Sequence, residues 1–298
     1  MNDTNDNYRT DLFNILVSAR LFIVCVTLSI TLIALLFIIL LPNFYTSSAL
    51  LKVSYSENNQ SSSGLTAYSG LASLAGISLP TAQEDKGMVA IETIKSRSFL
   101  EKLITFDNVL INIVAAKSYD FEKDQIIYDE ALYDINTNKW VNGEPTYLEA
   151  YEYYEEFMSI SQNKATGFIS LSYEHVSPKF SYEFISLIIK EINLLMKEKD
   201  IKESSDSLTY LEGLLEDTNN RNIKLQLNQI IENQLRTKML SNIRDDYLLM
   251  PIDPPFIPEE KSSPRRSILS IMSLILGFIL SIFFVLLKEV FFKKKDFK

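Results

Sequence analysis

The chain has 298 residues, a formal net charge of −9 and a single cysteine, Cys25, which lies in an apolar run. One cysteine excludes a disulfide framework and a thiolate-rich metal site, and the negative charge argues against nucleic acid as a partner. The charge is uneven, since residues 43–266 carry 22 basic and 33 acidic side chains while the two ends together carry 7 and 5.

Two apolar runs near the ends of the chain are predicted to cross a membrane. Residues 21–41 and 267–287 each contain 21 residues without a charge, which matches a hydrocarbon core of about 30 Å at helical rise. The first run is expected to be an uncleaved signal anchor behind a short segment, residues 1–20. Five lysines lie within residues 288–298, and by the positive-inside rule they predict that both termini are cytoplasmic and that residues 43–266 are translocated.

The translocated segment is predicted to be α+β, because strand-like runs near both of its ends enclose helical patterns. In chain order we expect a strand at 45–55, a Ser/Gly/Ala-rich loop at 57–80, helices at 85–105 and 109–116, an acidic stretch at 119–145, a helix at 147–159, strands at 167–173 and 246–253, and between those two strands a long helical region. This order predicts a small α/β base near the membrane with a helical arm.

The arm is predicted over residues 178–243, since Ser177 and Pro178 suit a helix start and no proline follows until Pro251. A polar cluster near Asn219 favours a hairpin of two helices, and one continuous helix is the alternative. A narrow apolar seam with coiled-coil-like spacing runs through Ile201, Leu208, Leu211 and Leu215. Such a seam is not expected to be buried within one chain, so it predicts a side-by-side homo-oligomer.

In the second apolar run, Ser273, Gly277 and Ser281 recur every four residues. Small side chains at this spacing let two membrane helices approach closely, so these residues are predicted to form a packing face.

No constellation of residues indicates catalysis, a metal or a cofactor. There is no Gly-Lys-Ser or Gly-Lys-Thr of a phosphate-binding loop, and the single histidine, His175, has no second histidine or thiolate to act with. His175 is therefore expected to be structural. The acidic run at Asp120 lacks the glycine and the last glutamate of a calcium loop, and the Glu/Tyr-rich helix at 147–159 is better explained as an exposed face.

A proline-rich segment, residues 251–266, runs into the second apolar helix and is predicted to be a stiff connector. With the first apolar run, the Ser69–Ile77 segment, the Leu171–Pro178 entry to the arm and the basic tail, it resembles the chain-length determinant (Wzz) family of polysaccharide co-polymerases. The segment 251–287 is the most specific part of this resemblance. Its motif positions are Pro254, Pro258, Pro264, Arg265 and Gly277, which the resemblance assigns to coupling with a polymerase or to assembly.

The resemblance implies a non-enzymatic regulator of lipopolysaccharide O-antigen chain length in the inner membrane of Gram-negative bacteria. It would form a periplasmic homo-oligomer and act on a separate polymerase that extends undecaprenyl-linked polysaccharide. Because kinase-fused relatives continue into a nucleotide domain, the chain is expected to be of the kinase-free type. The alternatives are an adaptor for capsule or exopolysaccharide export, a two-span periplasmic sensor and a membrane-anchored enzyme.

Overall fold

The computed structural model describes residues 19–54, 86–243 and 247–293. The N-terminal segment 1–18, the predicted loop at 57–80 with its Ser69–Ile77 motif, and the last lysines of the basic tail fall outside the described residues.

The elements follow one another in the order helix, strand, three helices, four short strands, helix, two strands, two long helices, strand and helix within the described ranges. They are α1 (Arg20–Leu40), β1 (Tyr45–Val53), α2 (Lys86–Ile94), α3 (Arg97–Leu103), α4 (Val109–Ala115), β2 (Ala116–Asp120), β3 (Gln125–Tyr128), β4 (Tyr133–Asp134), β5 (Lys139–Trp140), α5 (Tyr147–Phe157), β6 (Met158–Gln162), β7 (Ile169–His175), α6 (Pro178–Asp217), α7 (Arg221–Ile243), β8 (Leu249–Asp253) and α8 (Arg266–Lys293).

The chain divides into two compact units, which are described separately. Residues 45–260 form the first, and residues 1–44 with 261–298 form the second. The second unit is a pair of helices, α1 and α8, which pack against each other along their lengths. Both helices are long and apolar enough to cross a membrane.

The larger unit is built on an antiparallel sheet of four strands in the order β6-β7-β1-β8. β1 lies inside this sheet because it pairs with β7 on one side and with the return strand β8 on the other. Its alternate side chains, Tyr45, Ser47, Ala49 and Leu51, are buried, as expected for a strand with one covered face. Strands from opposite ends of the unit therefore meet in one sheet, as the sequence predicts.

The first half of α6 covers the sheet and supplies much of the core. Phe184, Ile188 and Ile192 recur at helical spacing and are each at most 1% exposed. Ser177 accepts a hydrogen bond from the N–H of Phe180, and Pro178 occupies the first turn, so this helix begins where capping chemistry predicts. The mixed sheet-and-helix architecture confirms the predicted α+β class.

Beyond the core, α6 and α7 form a helical hairpin. The hairpin prediction is therefore confirmed, and the alternative of one continuous helix is not observed. α6 ends at Asp217, and α7 begins at Arg221 after three intervening residues. The side-chain oxygen of Asn220 accepts a hydrogen bond from the N–H of Asn222 at 3.0 Å, and the Asn220 carbonyl accepts one from the N–H of Lys224. An asparagine therefore caps the second helix of the hairpin.

The prediction of one helix at 85–105 is wrong. The structure has two helices there, α2 and α3, with a break at Ser96. The Ser96 hydroxyl accepts a hydrogen bond from the N–H of Phe99 and so starts α3 as an N-cap. Amphipathic spacing continues across the break, which is why the pattern alone reads as one helix.

Strands that the sequence does not predict occur in two places. The acidic stretch contains the hairpins β2–β3 and β4–β5, and residues 158–162 form the edge strand β6 of the main sheet. In the first hairpin, Asp120 Oδ1 accepts hydrogen bonds from the N–H groups of Glu122 and Lys123. The Asp120 carboxylate therefore closes a turn, as an Asx side chain commonly does.

Candidate functional site

The interface between α1 and α8 contains the predicted packing residues. Gly277 and Ser281 are buried, and Ser273 is half-buried. The Thr27 hydroxyl donates a hydrogen bond to Ser281 Oγ at 3.2 Å. A methyl group added at Gly277 would meet the Thr27 carbonyl oxygen and the Ile30 side chain at 3.4 Å each. The glycine therefore permits a close approach of the two helix backbones.

Replacement of Gly277 by leucine is expected to destabilise this helix pair by about 2 kcal/mol, because the leucine side chain must push Thr27 and Ile30 of α1 away from α8. Gly277→Ala is the matched control, since a single methyl group only reaches contact distance. The measurement is the mole fraction of SDS that unfolds the full chain in mixed micelles. Equal midpoints for the two variants would contradict the close-packing role of this glycine.

Arg266 makes polar contacts with the C-terminal end of α1. Its Nη2 donates to Asn43 Oδ1 at 3.1 Å and lies 3.5 Å from the carbonyl oxygens of Ile39 and Leu41. A cation beside the last carbonyls of a helix is favourable, because those groups lack intrahelical partners and carry the negative end of the dipole. Arg265 is exposed.

Next to Arg266 the two chain segments leaving the helix pair are joined by backbone hydrogen bonds. The N–H of Phe44 donates to the Ser263 carbonyl at 2.9 Å, and the N–H of Ser262 donates to the Phe44 carbonyl at 2.9 Å. The peptide bond before Pro264 is cis. Residues 43–44 and 262–266 thus form a hydrogen-bonded clasp.

The five predicted motif residues are divided between the two units. Pro254, which is exposed, and Pro258, which is buried, belong to the larger unit, where the Ser47 hydroxyl donates to the Phe256 carbonyl at 2.7 Å. Pro264, Arg265 and Gly277 belong to the helix pair. The proline-rich segment is therefore fastened to β1 along part of its length.

The predicted oligomer seam is partly covered by the hairpin itself. Leu208 is only 7% exposed in the single chain, whereas Ile201, Leu211 and Leu215 are half-buried. The expectation that this seam cannot be buried within one chain is therefore wrong for Leu208, because the packing of α6 against α7 already removes it from solvent. The exposed apolar surface of the hairpin includes positions outside the predicted seam: Tyr210, Leu214, Ile223, Leu225, Ile230, Leu235 and Met239.

A buried asparagine ties α6 to the return segment. Asn193 Nδ2 donates to the Leu249 carbonyl at 2.9 Å, and Asn193 Oδ1 accepts from the N–H groups of Leu248 and Leu249 at 2.9 and 2.7 Å. Further along α6, the Asp200 carboxylate accepts from the Tyr247 hydroxyl and pairs with Lys86 at 2.6 Å. These contacts hold α2, α6 and the start of β8 together.

Sequence reasoning missed Arg266 and Asn193. Arg265 directly precedes α8 and Arg266 is the first residue of α8, and no sequence signal separates the two. Asn193 does leave a signal, because a lone amide inside the apolar run around Ile192 must find hydrogen-bond partners when buried.

His175 is buried and lies behind the first turn of α6. Its Nδ1 accepts a hydrogen bond from the N–H of Ser177 at 3.1 Å, so its proton is on Nε2, which donates to the Asn112 carbonyl at 2.9 Å. Burial lowers the pKa of His175 to about 4. The residue is neutral at physiological pH, which fits the predicted structural role.

Burial also raises the pKa of the Tyr154 and Tyr173 hydroxyls above the ordinary value for tyrosine. The Tyr154 hydroxyl donates to the Ile94 carbonyl at 2.8 Å, so it links α5 to α2. In the part of the chain that the structure describes, no group of three or more His, Cys, Asp or Glu side chains could hold a metal ion.

Comparison with known proteins finds one family model that matches part of the chain. Residues 10–105, about a third of the chain, match the model of the chain length determinant protein family, Wzz. The resemblance to the Wzz family is confirmed. The match covers α1, β1, α2 and α3, whereas the proline-rich segment and α8, on which the resemblance rested most, lie outside it. No curated protein sequence matches the chain.

Two solved structures are similar to this chain at low identity. One is a full-length bacterial polysaccharide co-polymerase, with a TM-score of 0.41, 13% identity and coverage of 95% of this chain and 98% of that chain. The other is a fragment of WzzB, a polysaccharide co-polymerase from Salmonella Typhimurium, with a TM-score of 0.32, 14% identity and coverage of 74% and 100%. Scores this low do not by themselves establish a shared fold.

Proposed function

We propose that this chain is a polysaccharide co-polymerase that sets the chain length of lipopolysaccharide O-antigen. The observation that carries the proposal is the Wzz family match over residues 10–105. Two helices of membrane-spanning length suit an inner-membrane protein of this family. In the proposed arrangement both termini are cytoplasmic, residues 43–266 are periplasmic, and the five lysines within residues 288–298 orient the chain.

The proposed mechanism is scaffolding and not catalysis. Copies of the chain assemble side by side through the helical hairpin and restrain a separate membrane polymerase, so that extension of undecaprenyl-linked polysaccharide ends within a preferred range. The exposed apolar side chains of α6 and α7 support this mechanism, because an apolar surface of this kind is typical of an interaction site.

The proposal is tested on the lipopolysaccharide ladder of the host. Deletion of the gene is expected to replace a clustered length distribution with an unregulated ladder, and the wild-type gene should restore the cluster. A double variant, Pro254→Ala with Pro258→Ala, tests the connector, and Pro145→Ala in a loop of the same unit is its matched control. An unchanged ladder with loss of capsule or exopolysaccharide would overturn the O-antigen role in favour of export.

The oligomer seam has its own prediction. Leu211→Asp is expected to lower the oligomer mass in detergent and to shift the length mode, because a carboxylate at a half-buried apolar position must be desolvated on assembly. Thr209→Asp adds the same charge at an exposed position of α6 and serves as the control. Light scattering gives the mass and circular dichroism checks the helices. A folded Leu211→Asp chain with unchanged mass and mode would refute the seam.

A further inference from the structure

A polar cleft lies beside the start of α6, between α4 and the β2–β3 hairpin. It has a cavity volume of about 390 Å³. This size lies in the range of roughly 300–1,000 Å³ that is usual for ligand sites in proteins. The functions discussed above assign it no role.

The side chain of Asn112 lines the cleft and is held in place by a hydrogen bond, while its amide donor is unused. Asn112 is only 9% exposed, and its Oδ1 accepts a hydrogen bond from the Tyr128 hydroxyl at 2.7 Å. Its backbone carbonyl accepts the Nε2 proton of His175. Among the described residues, none accepts a hydrogen bond from Asn112 Nδ2, and this amide nitrogen is not one of the buried atoms that lack a partner. This group is therefore available to a ligand in the cleft.

The rim offers both donors and acceptors with little net charge. Asp124 accepts from the Tyr119 hydroxyl and faces Lys179 Nζ at 3.7 Å, while Glu183 and Asn108 contribute further polar groups. Burial, together with the Asp124 carboxylate, raises the pKa of Tyr119 to about 12, so its hydroxyl keeps its proton. Since the one lysine already faces a carboxylate, the rim is poorly suited to a phosphate or another anion.

Amide and carboxylate groups beside aromatic and aliphatic side chains suit a ligand that is rich in hydroxyl groups. Each hydroxyl can donate one hydrogen bond and accept others, which matches the mixed donors and acceptors of Asn112, Asn108 and Asp124. Phe180 and Ile126 supply apolar lining for the C–H faces of such a ligand. We propose that this cleft binds a segment of the polysaccharide chain whose length the protein regulates, an inference that rests on the proposed function.

The test uses the full chain in detergent micelles and, as the probe, lipid-free polysaccharide released from the host's lipopolysaccharide by mild acid. Binding is followed by saturation-transfer NMR, with dextran as the non-specific reference. Asn112→Leu removes the amide, and the affinity is expected to fall at least about fivefold, the effect of one lost hydrogen bond. Circular dichroism verifies that each variant is folded.

A second variant keeps the binding test informative if the Asn112→Leu variant does not fold. Asn108 has a left-handed backbone with φ of 62°, so Asn108→Gly removes its side chain without backbone strain. It is expected to weaken binding severalfold. Asn138, with φ of 50°, is left-handed but does not line the cleft, and Asn138→Gly is the matched control with unchanged affinity.

Absence of specific binding to the wild-type chain, or equal affinity of folded Asn112→Leu and Asn108→Gly variants, would overturn the cleft assignment. The deletion ladder separates this failure from that of the proposed function. If deletion alters the ladder while the cleft variants bind normally, only the cleft assignment fails. If deletion leaves the ladder unchanged, the proposed function fails, and with it the assignment that rests on it.

Discussion

The Asn193→Leu variant is expected to unfold with a free energy about 4 kcal/mol below that of the wild-type chain. Leucine has nearly the same shape as asparagine, so the change removes three hydrogen bonds without creating a cavity. The N–H groups of Leu248 and Leu249 and the Leu249 carbonyl lose this partner in a buried position. Each such group costs about 1–3 kcal/mol when left unpaired.

Such a loss is a large part of the 5–15 kcal/mol that is typical of a folded domain. The measurement is the urea midpoint of the full chain in detergent, with protease resistance of residues 247–253 as a local readout. Asn228→Leu, at an exposed position of α7, is the matched control and should change the midpoint little. A loss below about 1 kcal/mol for Asn193→Leu would show that α6 does not anchor the return segment through this amide.

Acidification is expected to destabilise the larger unit through His175 by about 3 kcal/mol. The pKa of this group falls from 6.5 to about 4 on folding, and each unit corresponds to about 1.4 kcal/mol. Between these two values the unfolded chain binds a proton that the folded chain excludes, so stability rises with pH across this window. The contribution is complete above the unfolded pKa and is lost as the pH falls to about 4.

The variant His175→Gln isolates this effect, because it removes the only histidine of the chain and keeps a neutral side chain that can donate and accept. Urea midpoints at several values between pH 7 and pH 4 should fall more steeply for the wild-type chain than for the variant. Carboxylates titrate in both proteins and cancel in the comparison. Parallel pH profiles would refute a proton-excluding environment at His175.

The parts of the fold that sequence could predict are those determined locally. The uncharged runs predict α1 and α8 because a helix of about 20 apolar residues has few other environments. Ser177 and Pro178 locate the start of α6, and the polar cluster near Asn219 locates the hairpin turn. In these cases the deciding interactions lie within a few residues along the chain.

The parts that sequence could not predict depend on contacts between distant segments. Ser96 looks like any polar position of an amphipathic helix until its hydroxyl caps α3. The edge strand β6 is recognisable only because it pairs with β7. The cleft requires Asn112 and Tyr128 to meet across two elements. The burial of Leu208 depends on the packing of α6 against α7. Arg266 likewise gains its role from the end of α1, far away in sequence.

The clasp at residues 43–44 and 262–266 makes the larger unit a closed loop of the chain. If α1 and α8 stay paired in the bilayer while residues 45–260 unfold, both ends of the unfolded segment remain tethered at neighbouring points. The membrane pair then acts like a cross-link. It keeps the two ends of the unfolded segment together and so lowers the conformational entropy of the unfolded state. For a loop of this length the effect is roughly 5 kcal/mol. The same residues cut free of their membrane helices would fold against a larger entropic cost, so part of the stability of this unit comes from its anchorage.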